Sequence, residues 1–409
     1  VTVDRDEREL LDSLEDLDLV NGSADILPDA DTMDFPRITS TMLLLTERCN
    51  LRCQYCYSKA ERAGADMSFE IARAAVDFII DNARSTHRGQ IGVNFHGGGE
   101  PTLNWRVLTK TVDYLRSRCR EAGIKSATSI CTNGMVSRRQ AEWLGANIDN
   151  ILVSIDGRAA TQDFQRPRAN GGPSYAGVAA TLAFFDEERI PFSLRSTVTD
   201  FSEGDFVADY RHLVETFHPV NMCVEPLFVC GRCESATCSR PTQEGFIGLF
   251  SRILEETELT KVPISYSGGR IFQLDTAFCG AAGHNFFVTA RGMVTACVEV
   301  ASENDSRAGQ FIYGRFDPGK KGFDFDLEVY RSLAGLRVQY FDGCGDCLAK
   351  YHCCGDCLAK SPDLLRNPAM RNGYRCAINK ELTTRILLNE YRRLSRRVEE
   401  PASAQGGSR

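Results

Sequence analysis

The sequence predicts an α/β fold: a partial (β/α)6 TIM-like barrel followed by a small cysteine-rich domain with short strands and a closing helix. Three observations point to it. From Ser40 to about Thr260, short apolar runs alternate with amphipathic stretches, as in a parallel sheet flanked by helices. After Gly268 that alternation gives way to cysteines, glycines and short strands. The third is the 17 cysteines of this 409-residue chain, most of which fall in clusters.

The elements follow in order. Met42–Leu45 reads as the first strand, and Ser68–Ala83 as a helix capped by Ser68, with Ala72, Ala75, Val76, Ile79 and Ile80 on one stripe. Ile91–His96 precedes a helix near Trp105–Cys119, Ala127–Cys131 precedes Arg138–Leu144, and Ile151–Ile155 precedes Tyr175–Arg189. Phe192–Val198 with Phe206–Phe217, and Met222–Val229 with Gln243–Glu256, complete six βα units. Functional residues of such an array belong just after the strands. Ile378–Val398 reads as the closing helix. The expected divisions are an acidic segment and linker over 1–38, with a short helix around Leu10–Leu17, and the barrel over 39–265. The cysteine-rich domain follows over 266–380, then a helix over 381–400 and a disordered tail over 401–409.

Composition narrows the chemistry. The net charge of −7 offers no basic field for nucleic acid or an anionic membrane. No apolar run is long enough to span a bilayer, and Val1–Leu10 carries acids where a secretory signal needs bases. A cytoplasmic protein is expected, so cysteines at this density favour metal or redox chemistry over disulfides. Cys119, Cys131 and Cys223 sit in apolar patterns and read as small buried hydrophobes. Cys344–Cys357 cannot, because five of its fourteen residues are cysteine among glycines and aspartates. A core this thin needs ligation to hold it.

Cys49-x3-Cys53-x2-Cys56 lies in the loop after the first strand. Three thiolates so placed can hold three irons of a [4Fe–4S] cube and leave the fourth open; a closed zinc site would want a fourth ligand nearby. Tyr55 sets an aromatic ring beside that open position. Together with Gly98-Gly99-Glu100-Pro101 after the second strand, the motif resembles the radical S-adenosylmethionine (radical SAM) superfamily. The resemblance implies that S-adenosylmethionine chelates the open iron and is cleaved by one electron to a 5′-deoxyadenosyl radical. It implies contacts from Gly98, Gly99 and Glu100, from Thr132 and Ser154 at the ends of strands three and four, and from Arg166 or Arg195 to the carboxylate.

Twelve residues separate Cys279 from Gly292 and four separate Gly292 from Cys297; Cys344-x2-Cys347-x5-Cys353-x3-Cys357 follows, with eighteen residues between Cys357 and Cys376. This spacing is similar to the seven-cysteine SPASM extension of radical SAM enzymes. The resemblance implies two auxiliary [4Fe–4S] clusters, hence three in all. The outer one would use Cys344, Cys347, Cys353 and Cys376, and the inner one Cys279, Cys297 and Cys357. Two zinc sites are the competing reading. Cys354 has no family role, and His352 is not read as a ligand. Gln273 stands where some relatives place a further cysteine, so the inner cluster is either open or closed by Cys230, Cys233 or Cys238, a trio after the sixth strand. That trio could equally be reduced or redox-active thiols.

The resemblance implies a maturase of ribosomally made peptides, forming a thioether or carbon–carbon bond. Its partners would be a peptide with a leader and a reductant such as flavodoxin or ferredoxin; residues 1–38 are too few for a complete leader-binding domain, so leader recognition is either weak, supplied by a separate leader-binding protein or made by the short acidic segment. Formylglycine formation of the anaerobic sulfatase-maturating type is an alternative. There the family places an Asp base directly after the cysteine matching Cys297. Here Val298 follows and Glu299 comes one later, which on a strand would face the other way. A small-molecule dehydrogenase and an iron–sulfur electron carrier complete the alternatives. His96 reads as a packed strand-end residue.

Overall fold

The computed structural model describes residues 36–235, 238–360 and 373–399, with Arg8 alone before them. The expected helix at Leu10–Leu17, the acidic segment before residue 36 and the tail Pro401–Arg409 lie outside the described residues.

Six βα units are present. Strands β1 (Ser40–Leu44), β2 (Gln90–His96), β3 (Lys125–Thr132), β4 (Asn150–Ser154), β5 (Phe192–Val198) and β6 (Asn221–Pro226) pair in sequence order, all parallel. Their helices are α1 (Phe69–Ser85), α2 (Trp105–Ala122), α3 (Arg138–Asn147), α4 (Ala159–Gln165), α5 (Tyr175–Glu187), α6 (Phe206–Phe217) and α7 (Gln243–Thr260). α4 is an addition to the expected set: its seven residues are too few to show a helical period.

The helices form where the sequence places their caps. Ser68 accepts from Ile71 N at the start of α1, and all five residues of the expected stripe are buried. Ser137 and Gln140 make a reciprocal capping box on α3.

The sheet continues past the sixth unit. β7 (Ile264–Ser265) adds to β6, while β8 (Phe287–Val288) pairs in parallel with β1. From β8 the chain turns through β9 (Met293–Thr295), β10 (Ile312–Asp317) and β11 (Gly322–Phe325), all antiparallel. The result is one eleven-stranded sheet with β11 and β7 at its ends. Gly292, between β8 and β9, has φ +81°, which explains a glycine between two of the spaced cysteines. The cysteine-rich region is thereby joined to the first strand by backbone hydrogen bonds. It closes with α8 (Leu327–Ala334) and α9 (Gly373–Glu399). α9 starts five residues before the expected Ile378, so Cys376 lies inside it. Among the described residues no helix is long and apolar enough to cross a membrane.

Candidate functional site

The loops after β1 to β6 converge on one cavity of about 270 Å³. Its wall includes Cys49, Cys53 and Cys56, together with Tyr55, Gly98, Gly99, Glu100, Thr132, Ser154, Arg166 and Arg195. Every residue expected to hold the first cluster or its nucleoside therefore reaches a single space. Burial drives the Cys49 thiol up to about 12 and Cys53 to about 11, so both want a cation to exist as thiolates.

The Gly98–Glu100 strip is bound edge-on to the cysteine loop. Gly99 N donates to Thr46 O (2.7 Å) and Glu100 N to Arg48 O (2.8 Å). A Cβ at Gly99 would overlap the Arg48 carbonyl, so only glycine allows this approach. Glu100 is 2 % exposed and spends its carboxylate on the protein. Oε1 accepts from Thr102 N, Thr102 Oγ1 and Thr132 Oγ1, and Oε2 from Asn133 N. Glu100 and Thr132 thus lock the loops after β2 and β3 together at the cavity wall.

Arg166 is set differently. Its NH1 donates to Tyr55 Oη (2.6 Å), which donates in turn to Asp156 (2.5 Å), and Asp156 has no exposed side-chain surface. Arg166 Nε is buried with no hydrogen-bond partner among the described residues, an orphan donor on a residue that lines the cavity. Tyr55 is thereby a support for Arg166, with burial first and the adjoining acids next raising its hydroxyl well above its ordinary value.

The C-terminal region supplies the far wall through Val298, Glu299 and Lys360, with Phe228 and Cys230 from the loop after β6. The strand-alternation argument against Glu299 fails here: β9 ends at Thr295 and residues 298–299 form a turn, so both Val298 and Glu299 border the cavity. Glu299 faces Lys360 (3.7 Å) and Arg307 (3.9 Å), and its Oε2 accepts no hydrogen bond among the described residues. A groove of about 1160 Å³ opens from this side and shares Tyr57, Ser58, Cys230 and Glu299 with the cavity.

The other cysteines divide clearly. Cys344, Cys347, Cys353 and Cys376 line one small cavity with Asn379, whose Nδ2 donates to Cys353 Sγ (3.1 Å). Cys279, Cys297 and Cys357 lie within electrostatic reach of one another, and burial raises all three thiols. Among the described residues no three His, Cys, Asp or Glu side chains meet closely enough to share one metal ion. A cubane asks for something else, since each thiolate binds a different iron around a common volume. Cys354 is taken up structurally: its thiol bonds Asp275 O (3.1 Å) and Tyr351 O (3.2 Å). His352 Nδ1 likewise bonds Arg270 O. The trio separates too, for Cys233 and Cys238 pair at 2.8 Å in a buried cluster with Leu227, while Cys230 lines the cavity.

Sequence reasoning missed Cys131, read as core, which lines the cavity beside His96 and Ser154. It also missed Tyr57, close to Cys56, Cys131, Glu299 and Cys297. Cys131 immediately precedes Thr132 at a strand end, which is the signal that could have found it.

Residues 43–213 match the Radical SAM superfamily. An uncharacterized protein of Methanocaldococcus jannaschii is 33% identical over 162 residues, 39% of this chain and 52% of the relative. The serine-type anaerobic sulfatase-maturating enzyme of Klebsiella aerogenes is 26% identical over 168 residues, 41% of each chain. The chain thus spans about half the length of the curated relatives it matches, or somewhat less. Two solved structures share the fold: anSMEcpe with bound AdoMet and Kp18Cys peptide has a TM-score of 0.66 at 17% identity, covering 87% of this chain and 99% of that one. Streptococcus suis SuiB bound to precursor peptide SuiA has a TM-score of 0.60 at 14% identity, covering 90% and 79%.

Proposed function

We propose that this chain, whose residues 43–213 match the Radical SAM superfamily, is a member with a SPASM-like C-terminal region that oxidises a peptide, forming a thioether or carbon–carbon bond. The observation that carries the reading is the joint cavity, in which the cysteine loop and the glycine strip face a wall supplied by the C-terminal region.

The residues fit the cofactors of the family. Cys49, Cys53 and Cys56 would hold a [4Fe–4S] cluster, and the orphan Nε of Arg166 suits a carboxylate such as that of S-adenosylmethionine. When bound, this pair supplies one-electron cleavage of the sulfur–C5′ bond and a radical that removes a hydrogen atom. Cys344, Cys347, Cys353 and Cys376 are the candidate holders of an outer auxiliary cluster, and Cys279, Cys297 and Cys357 of an inner one. The remaining roles belong to the chain itself. Glu100 and Thr132 fix the loop spacing, Asp156 and Tyr55 orient Arg166, and Leu51 and Leu227 keep water from the wall.

A peptide is favoured because the cavity shares Tyr57, Ser58, Cys230 and Glu299 with a second space of about 1160 Å³ beside it. Two fold neighbours are described with a peptide bound. Formylglycine formation remains a second reading, favoured by one observation: Glu299 faces the cavity from its turn. The test is 5′-deoxyadenosine, measured by mass spectrometry after anaerobic loading with iron, sulfide, a strong reductant and S-adenosylmethionine. Product from the intact chain and none from the Cys49→Ala/Cys53→Ala/Cys56→Ala variant is expected. An iron-loaded intact chain that forms none would overturn the reading.

A further inference from the structure

Cys131 has surroundings unlike those of the chain's other thiols. It sits one residue from the end of β3, on the wall of the cavity. Polar side chains from β2, β4 and β5 surround its sulfur. From β2 comes His96, whose Nδ1 accepts from Gly97 N (2.8 Å), which leaves Nε2 to carry the proton of the neutral ring. His96 bonds the Cys131 thiol, Ser154 at the end of β4 lies 3.8 Å from it, and the Arg195 guanidinium of β5 adds positive charge. Tyr57, from the loop after β1, is a further titratable neighbour. Burial alone would raise this thiol, but His96, Arg195 and Ser154 more than offset it and bring it to about 7. Every other thiol with a resolved displacement is pushed up.

We propose that Cys131 is a catalytic residue, the thiolate that accepts the proton given up by the substrate, and that His96 is the positioning residue that holds it ready. The proposal rests on the peptide-oxidising function above. That oxidation removes two hydrogens in all. One leaves as an atom; the other leaves as a proton and an electron when the new bond closes. Cys279, Cys297 and Cys357 would hold the oxidised [4Fe–4S] cluster that takes up this electron. For a thioether, the proton would pass from the attacking S–H of the peptide to the Cys131 sulfur, giving S–H, and then to solvent, as the carbon–sulfur bond forms. An acceptor titrating near neutral pH suits this transfer. Among the other acceptors on the wall, Glu225 takes two hydrogen bonds from Ser267 (2.9 Å each), Glu100 takes four, and burial, then Glu299, keeps Cys230 protonated up to about 12; Glu299 itself faces Lys360 and Arg307 with one oxygen open, so Glu299→Gln is the control that must leave the limb near pH 7 in place.

The tryptic peptide 126–138 contains Cys131 as its only cysteine, so alkylation of the iron-loaded chain by iodoacetamide can be read there by mass spectrometry. The expected rate reaches half its maximum near pH 7, a midpoint that does not depend on access. His96→Phe should slow alkylation at pH 7 about tenfold, His96→Gln, which keeps an N–H donor, should restore most of it, and S-adenosylmethionine should slow it by shielding the cavity. A midpoint at or above about 8.5, the ordinary thiol value, or indifference to His96→Phe or to S-adenosylmethionine, overturns the proposal. The second arm uses a pool of short synthetic peptides carrying Ser, Cys and Gly, scored for loss of two hydrogens. Cys131→Ser should cut that loss at least tenfold and remove the limb near pH 7; an unchanged profile overturns the base role. If the intact chain makes 5′-deoxyadenosine yet oxidises no peptide of the pool, the peptide reading and the base role built on it both fall, and the alkylation result stands by itself.

Discussion

Glu100→Gln separates a loop-locking role for this carboxylate from direct contact with the cofactor. All four partners of Glu100 are donors, and a carboxylate can accept from every one. Glutamine can keep the three bonds at the Oε1 position only by turning its NH2 toward Asn133 N–H, which now donates to Oε2 at 2.8 Å. The substitution therefore removes one charge-assisted bond and buries two donors face to face. With about 1.5–3 kcal/mol for such a bond and a similar penalty for an unmet buried N–H, a cost of about 3 kcal/mol follows once the relief of burying a neutral group is counted. At roughly 2.1 cal/mol/K per residue of unfolding entropy, that is a fall of about 4 °C in Tm for a chain of this size. The assay is thermal denaturation monitored by circular dichroism, without S-adenosylmethionine. Glu100→Asp should lose as much, because a carboxylate one methylene shorter cannot span both loops. An unchanged Tm combined with lost S-adenosylmethionine binding would refute the reasoning and make Glu100 a cofactor contact.

Three further outcomes are expected. Gly99→Ala drives a methyl into the Arg48 carbonyl, so the loop after β1 must shift and 5′-deoxyadenosine formation should fall more than tenfold; wild-type turnover would show that the loop can move freely. Cys344→Ser with Cys347→Ser should lower bound iron by about four per chain and destabilise the C-terminal region, whereas intact iron by colorimetric assay would remove both from the ligand set. Cys354→Ala should leave iron content unchanged but cost about 1–2 kcal/mol in denaturant unfolding, since its thiol closes onto two carbonyls in the interior; iron loss would make it a ligand.

The sequence by itself determined the six βα units and the position of the chemistry after their strands, because apolar periodicity and strand-end placement are local properties. The SPASM resemblance grouped Cys344, Cys347, Cys353 and Cys376, which line one cavity, and the Cys49–Cys56 loop lies beside the glycine strip. Orientation was beyond it. Cys131 reads as core in an apolar strand, and only the convergence of His96, Ser154 and Arg195 from three other strands makes it a polar site. Glu299 was misjudged because strand alternation was extended past Thr295, where a turn resets which way side chains face. The separate fates of Cys230 and the Cys233–Cys238 pair also depend on packing across the loop after β1. The pairing of β8 with β1 joins residues 245 positions apart, as between Met42 and Phe287. A two-residue strand carries no periodicity, so that register, and with it the wall the C-terminal region gives the cavity, was decided only when the chain folded.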